Sequence, residues 1–296
     1  MAAAAALVPA VAPGAARALD LEFTPARVEA SLTADDNVTR AGGSDALRDT
    51  IIGVRASKGL LLPLSTRTRA VVQGFVGGEK FQKYSGLSHN FFGGQLDYQY
   101  RSSGQFGAAI YSAFVRTQAE YFQSDLRDGY RHAYGVTVLK PLTDRVTFLG
   151  ALQQNITDGK SNVFDTQNTA LRANFDWSLS TWNTVYATAE YRKGEFVSTA
   201  CRACDPNKTA GLVNTAAPNV IQDDAFTDTI RDAYRLKANV IVATLGYNHA
   251  FGSGQSLDLS WRRAQSALAQ TAIAPATKSD FAYTVNQYSL AYLVRF

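Results

Sequence analysis

Asn286-Gln287-Tyr288-Ser289-Leu290-Ala291-Tyr292-Leu293-Val294-Arg295-Phe296 alternates without a break. Successive side chains of a strand point to opposite sides, so Tyr288, Leu290, Tyr292, Val294 and Phe296 share one face and Gln287, Ser289, Ala291, Leu293 and Arg295 share the other. The first face is apolar and rimmed by aromatics; the second tolerates water. That division suits a strand with lipid outside and a polar lumen inside. A half-buried edge strand of a soluble sandwich has the same period, so the rest of the chain must separate the two.

With 296 residues, 46% of them hydrophobic, the chain is long enough for one all-β domain or two average ones. Beyond the N-terminus no run approaches the ~18 to 20 uncharged apolar residues of a membrane-spanning helix, and the mean hydropathy is −0.14. Membrane strands pass such a test unseen, since half of each is polar. The chain has 14 Tyr, 16 Phe and 22 Gly against one Met and two Cys. Aromatics at interfaces and glycines at bends suit a barrel, and scarce thiols suit an envelope protein. Ala2 to Ala12 is small and apolar, and Ala16-Arg17-Ala18 offers the small residues a signal peptidase inspects. Residues 1–18 therefore read as an export signal lacking its basic front, cleaved after Ala18, with an Ala-rich leader as the competing reading. The barrel domain is 19–296.

Turn signals recur at a fixed beat. Pro63-Leu64-Ser65-Thr66, Ser102-Ser103-Gly104-Gln105, Pro141-Leu142-Thr143-Asp144 and Ser180-Thr181-Trp182-Asn183 begin 39 residues apart each time, and Gly252-Ser253-Gly254-Gln255 follows after a longer gap. Longer polar connections fall between them at 37–47, 83–89, 122–129, 157–166, 197–231 and 268–279. Alternating short and long connections match the periplasmic turns and extracellular loops of outer-membrane barrels, which also require an even strand number. The spacing predicts twelve strands: 27–36, 48–62, 66–82, 90–101, 105–121, 130–140, 145–156, 167–179, 183–196, 232–250, 255–267 and 280–296. The expected fold is all-β, a closed antiparallel transmembrane β-barrel with both ends in the periplasm.

Sorting charges by this alternation puts Arg55, Arg69, Arg101, Arg116, Arg172, Arg192, Arg235, Lys237, Arg262 and Arg295 on the lumen face, with Asp49, Asp97, Glu120, Asp176, Glu190 and Asp258 beside them. Two readings stay open. Arg55, Arg69, Arg116, Arg172, Arg192, Lys237 and Arg262 line a pore and attract anions, or the same charges form cross-strand ion pairs that fill a closed barrel. Twelve strands lie between the packed interior of eight and the channel of sixteen.

Catalysis finds little support. His89, His132 and His249 are scattered and no Gly-x-Ser-x-Gly accompanies them. Cys201 and Cys204 lie in the longest loop; zinc would need further ligands and the haem-attachment pattern fails because Asp205 follows Cys204. A disulfide between them is expected in an oxidising compartment. The loop itself either folds into the mouth as a constriction or extends outside. No metal, cofactor or nucleic acid is expected.

The terminal strand resembles the signal strand of bacterial outer-membrane barrels, which implies that Tyr288, Leu290, Tyr292, Val294 and Phe296 form an assembly signal for the barrel-assembly machinery. Asp35-Asp36-Asn37-Val38, followed by Ser44-Asp45, Asp49-Thr50-Ile51 and Leu62-Pro63-Leu64-Ser65, resembles the start of β-barrel porins of exopolysaccharide loci, the EpsL-like and porin-2-like barrels. The resemblance covers the first fifth of the chain and implies an outer-membrane barrel linked to polysaccharide export, without catalytic residues. The expected function is a channel for small or anionic solutes, saccharides included, with outer-membrane lipids as surroundings. A structural or adhesive barrel and a lipid-modifying enzyme are the alternatives.

Overall fold

The alternating segments pair edge to edge in a computed structural model that describes residues 22–201, 220–252, 254–268 and 282–296. The strands are β1 (Glu22–Phe23), β2 (Arg27–Asp35), β3 (Asp49–Pro63), β4 (Thr68–Phe81), β5 (His89–Arg101), β6 (Ile110–Phe122), β7 (Gly129–Pro141), β8 (Val146–Gly159), β9 (Thr166–Ser178), β10 (Asn183–Cys201), β11 (Val220–Gln222), β12 (Arg231–Ala250), β13 (Gln255–Leu268) and β14 (Thr284–Arg295). Neighbours in the chain pair antiparallel from β2 to β10, then β12 to β14, and β14 returns to β2, so the sheet closes on twelve strands. Closure pairs every interior backbone group and leaves no edge to lipid. β1 pairs with the far end of β3, and β11 pairs with β12 outside the ring. The expected N-terminal signal lies outside the described residues.

The expected strand bounds hold to within a few residues except at β10, which runs on to Cys201 where a loop was expected from 197, and at β6. Residues 105–109, expected to be strand, belong to a wider turn in which Gly107 has φ +81° and the Ser102 N–H donates to the Ala109 carbonyl.

Register fixes the barrel's dimensions. A row of paired residues leaving β3 at Asp49 passes Asp35, Gln287, Arg262, Thr244, Thr188, Asn174, Leu149, Leu139 and Ile110 to Arg101. The β4–β5 and β3–β4 registers carry it back to the line of β3 at Ser65, a shear of 16 residues. Twelve strands with that shear tilt by about 40° and hold their Cα atoms about 12 Å from the axis.

Outward positions are apolar between two aromatic belts. Tyr121, Tyr130 and Phe92 mark the belt near the long loops, and Tyr111, Tyr100 and Trp177 the belt near the short turns, all exposed. Between them Val115, Leu96, Val136, Leu152 and Leu171 are exposed as well. Tyr111 and Tyr121 on β6 stand about 34 Å apart along the strand, which at that tilt gives about 26 Å of height against the ~25 Å band of an outer-membrane barrel. The exposed apolar surface is therefore the lipid-facing surface.

Candidate functional site, the lumen and its mouth

Inward positions are polar with arginines spread around the wall. Arg55 stacks over Phe75 at 4.3 Å. Arg69 Nε donates to Gln99 Oε1 at 2.7 Å, and Arg262 Nη1 to Gln287 Oε1 at 2.8 Å. Arg172 Nε donates to Glu190 Oε2 at 2.9 Å, and Arg192 donates to the other oxygen of the same carboxylate. Arg116 makes no hydrogen bond or ion pair among the described residues but stands within electrostatic reach of Arg55, Arg131, Arg172 and Asp97. Cross-strand pairing and unneutralised cations thus coexist: Glu190 is shared by two arginines, whereas Arg262 and Arg69 meet neutral amides.

Lys237 departs from expectation. Along β12 the even positions Ala238, Val240 and Val242 are buried and the odd positions Ile241, Leu245 and Tyr247 are exposed. Lys237 shares the odd, outward set and pairs in register with Glu195, and Arg235 has the same parity. The physical cause is that β12 carries apolar residues inward here, so charge no longer lies opposite the apolar face.

The aromatic face of β14 lies outward as expected: Tyr288, Leu290, Tyr292 and Phe296 are exposed, with Val294 in the same alternation. β14 pairs with β2 from Gln287 opposite Asp35 to Arg295 opposite Arg27, and the Phe296 N–H donates to the Ala26 carbonyl at 2.9 Å. The Asp-Asp-Asn motif fastens the other end of this seam. Asp36 accepts from the backbone and side chain of Asn286 at 2.7 and 2.8 Å, Asp35 accepts from Gln287 and Arg40, and Asn37 Nδ2 donates to the Ala41 and Thr284 carbonyls. Asp49 organises the next loop by accepting from the N–H groups of Gln82, Lys83 and Tyr84.

The composition of the longest loop suits either placement, and its described part folds inward. β12 and β5 stand on opposite sides of the ring, yet Ala225 and Phe226 pack on Leu87 and Tyr84 from the β4–β5 loop, so residues 223–226 cross the mouth. Gly86 permits the approach, since a Cβ there would overlap the Ala225 backbone. Asp223, with no exposed side-chain surface, pairs with Arg127 and accepts from Thr199 Oγ1 at 2.9 Å. Ser124 hydrogen-bonds Asp224, and Arg127 stacks over Phe164 at 4.4 Å. From the first loop, the Thr39 carbonyl accepts from the Thr199 N–H at 2.9 Å. Arg231 is 4% exposed, stacks near Phe226 and pairs with Asp228 at 2.9 Å. Hydrogen bonds from Arg231 hold the Asp228 carboxyl below the usual carboxylate range. Cys201 is disulfide-bonded and its N–H reaches Asp45 Oδ1 at 3.4 Å; Cys204 lies outside the described residues. These non-local contacts had no signal in a loop read only by composition.

The histidines are not brought together. His89 stacks on Phe122 near the loop end, His132 bonds Thr117 from the outer wall, and His249 bonds Asn183 near the turn end.

No protein-family model and no curated protein matches the chain, so the resemblance to exopolysaccharide-locus barrels gains nothing there. Among solved structures the chain is similar to the COG4313 outer membrane channel from Pseudomonas putida F1, with a TM-score of 0.57 and 12% identity over 97% of this chain and 100% of that one. It is also similar to the KdgM porin in complex with disordered oligogalacturonate, with a TM-score of 0.46 and 8% identity over 91% of this chain and 99% of that one. The likeness to the COG4313 channel, at 12% identity, speaks to fold, and with the lipid-facing band it puts the chain among closed antiparallel barrels of the bacterial outer membrane.

Proposed function

We propose that the chain is a non-catalytic outer-membrane channel for small anionic solutes, sugar acids among the candidates. The observation that carries this reading is the lumen wall, where Arg116 lacks any ion-pair partner among the described residues and Arg262 meets only an amide. In a narrow pore of reduced dielectric such charges attract anions more strongly than in bulk water. Polysaccharide export rests on the short Asp-Asp-Asn resemblance alone. The β14 aromatics serve, on the same reading, as the signal read by the barrel-assembly machinery.

A second reading draws on a specific observation, the bridge of residues 223–226 across the mouth. If that bridge is permanent, the barrel is a closed scaffold whose loops carry the role. Planar-bilayer recording of refolded protein separates the two. The channel reading expects discrete conductance and a reversal potential displaced toward the anion, shifting toward cations in an Arg172→Gln, Arg262→Gln double variant. No conductance in the wild type sinks it.

A further inference from the structure

Four inward arginines occupy equivalent places. Arg55 lies six residues from the loop end of β3 (Asp49), Arg116 six from that of β6 (Phe122), Arg172 six from that of β9 (Thr166) and Arg262 six from that of β13 (Leu268). Around the ring, β3, β6, β9 and β13 are each three strands apart. Followed through the registers, Arg55, Arg116 and Arg172 stand at one depth below the mouth and Arg262 about two residues nearer to it, each about a quarter-turn from the next. They sense each other across the lumen: Arg116 lies in the field of Arg55 and Arg172, and Arg262 in that of Arg172. Asp97 beside Arg116, Glu29 beside Arg55 and Glu190 offset part of this charge, the Glu190 carboxylate being divided between Arg172 of the quartet and Arg192 beside it.

From this geometry we propose that the quartet is a binding ring for multivalent oxyanions, polycarboxylates or polyphosphates, which deepens the channel reading by naming its ligand class and rests on it. With Cα atoms about 12 Å from the axis and side chains reaching about 6 Å inward, opposite guanidiniums stand on the order of 12 Å apart. A monovalent ion meets one of them at a time. An anion carrying several charges meets two or more at once, and each contact made after the first is intramolecular, which multiplies affinity. Arginine also presents a planar fork matched to carboxylate and phosphate.

The test is equilibrium binding to the full folded chain in detergent, by titration calorimetry with citrate, tripolyphosphate and acetate at matched ionic strength. Citrate or tripolyphosphate is expected to bind roughly tenfold or more tightly than acetate; equal affinities for all three overturn the ring without any variant being made. Arg116→Gln with Arg262→Gln is expected to lose about tenfold in multivalent affinity, whereas Arg145→Gln, in the β7–β8 turn, is expected to lose none. A double variant that stays folded, by its heat-shifted migration, and binds as the wild type does also overturns it. Tight multivalent binding in a protein without bilayer conductance would remove the channel reading and keep the ring; conductance without a preference for multivalent anions would do the reverse.

Discussion

The two ends of the barrel are built on different principles. At the turn end each connection closes on itself: Leu64 and Ser65 N–H donate to the Thr68 carbonyl, Leu142 and Thr143 to that of Val146, and Leu179 and Ser180 to that of Asn183. The hydroxyls of Ser65, Thr143 and Ser180 cap the same turns by accepting from N–H groups two or three residues on. At the loop end the partners are far apart in the chain, as with Ser124 and Asp224, Arg127 and Asp223, or Cys201 and Asp45. Local closure needs only turn-forming residues in sequence. Non-local closure needs the barrel first, because the ring brings β5 opposite β12. The turn end is thus a repeated local motif, and the mouth is a tertiary structure in its own right.

The largest expected effect lies at the seam joining the last strand to the first. Deleting Phe296 is expected to lower folded, heat-modifiable protein in outer-membrane fractions by roughly tenfold, since a barrel whose final strand fails to pair keeps two open edges. Yields equal to wild type would show that the β14 aromatics are not an assembly signal.

Next comes the mouth. Asp223→Ala leaves Arg127 buried without its carboxylate, a change of about 3 to 5 kcal/mol where both partners are buried; Arg127 retains some exposure, so the lower part of that range is expected. The cost should fall on the loops, seen as faster proteolysis between β10 and β12 and faster amide exchange there, while the barrel keeps its heat-shifted migration. If the whole barrel unfolds together, the two ends are one cooperative unit and the contrast fails.

The wall between them offers a smaller and more local test. Leu171 is exposed to lipid, so Leu171→Arg is expected to cost about 2 to 4 kcal/mol if it sits at the bilayer midplane. Asn174→Arg, on the inward alternation of the same strand, is expected to cost far less. Denaturant unfolding in bilayers measures both, and equal costs would mean that the faces of β9 are exchanged.

The mildest effect is acid sensitivity of the mouth. Asp228 has a lowered carboxyl pKa in the folded state, so its contribution is present above the ordinary carboxylate pKa and fades as pH falls through the lowered value. Proteolysis of the loop should therefore quicken below about pH 4, and less steeply in Asp228→Asn. An unchanged acid profile in that variant would assign the sensitivity to other carboxylates.

Much of this was legible in the chain. The 39-residue beat located four turns because each is a local motif, and period-two alternation located twelve strands because a wall with lipid outside must alternate. Face assignment succeeded where membrane lay outside, as with Leu171 against Arg172. It failed at Lys237, where the β10–β12 hairpin extends beyond the loop ends of neighbouring strands. There Tyr234 is 1% exposed and Ala233 0%, so burial no longer follows the lipid rule and charge no longer marks the inside.

The barrel itself was written into the amino-acid order: strand number, the alternation of the wall and the closing strand all follow from side-chain period and backbone pairing in lipid. Which residues meet across space was settled by the folded ring alone. Shear and strand order bring Arg55, Arg116 and Arg172 to one depth, with Arg262 about two residues nearer the mouth, a quarter-turn apart, fold residues 223–226 over the mouth, and tie Asp35, Asp36 and Asn37 into the seam with β14. Period along one strand is a local property, whereas level and distance across a barrel depend on the accumulated register of all twelve strands.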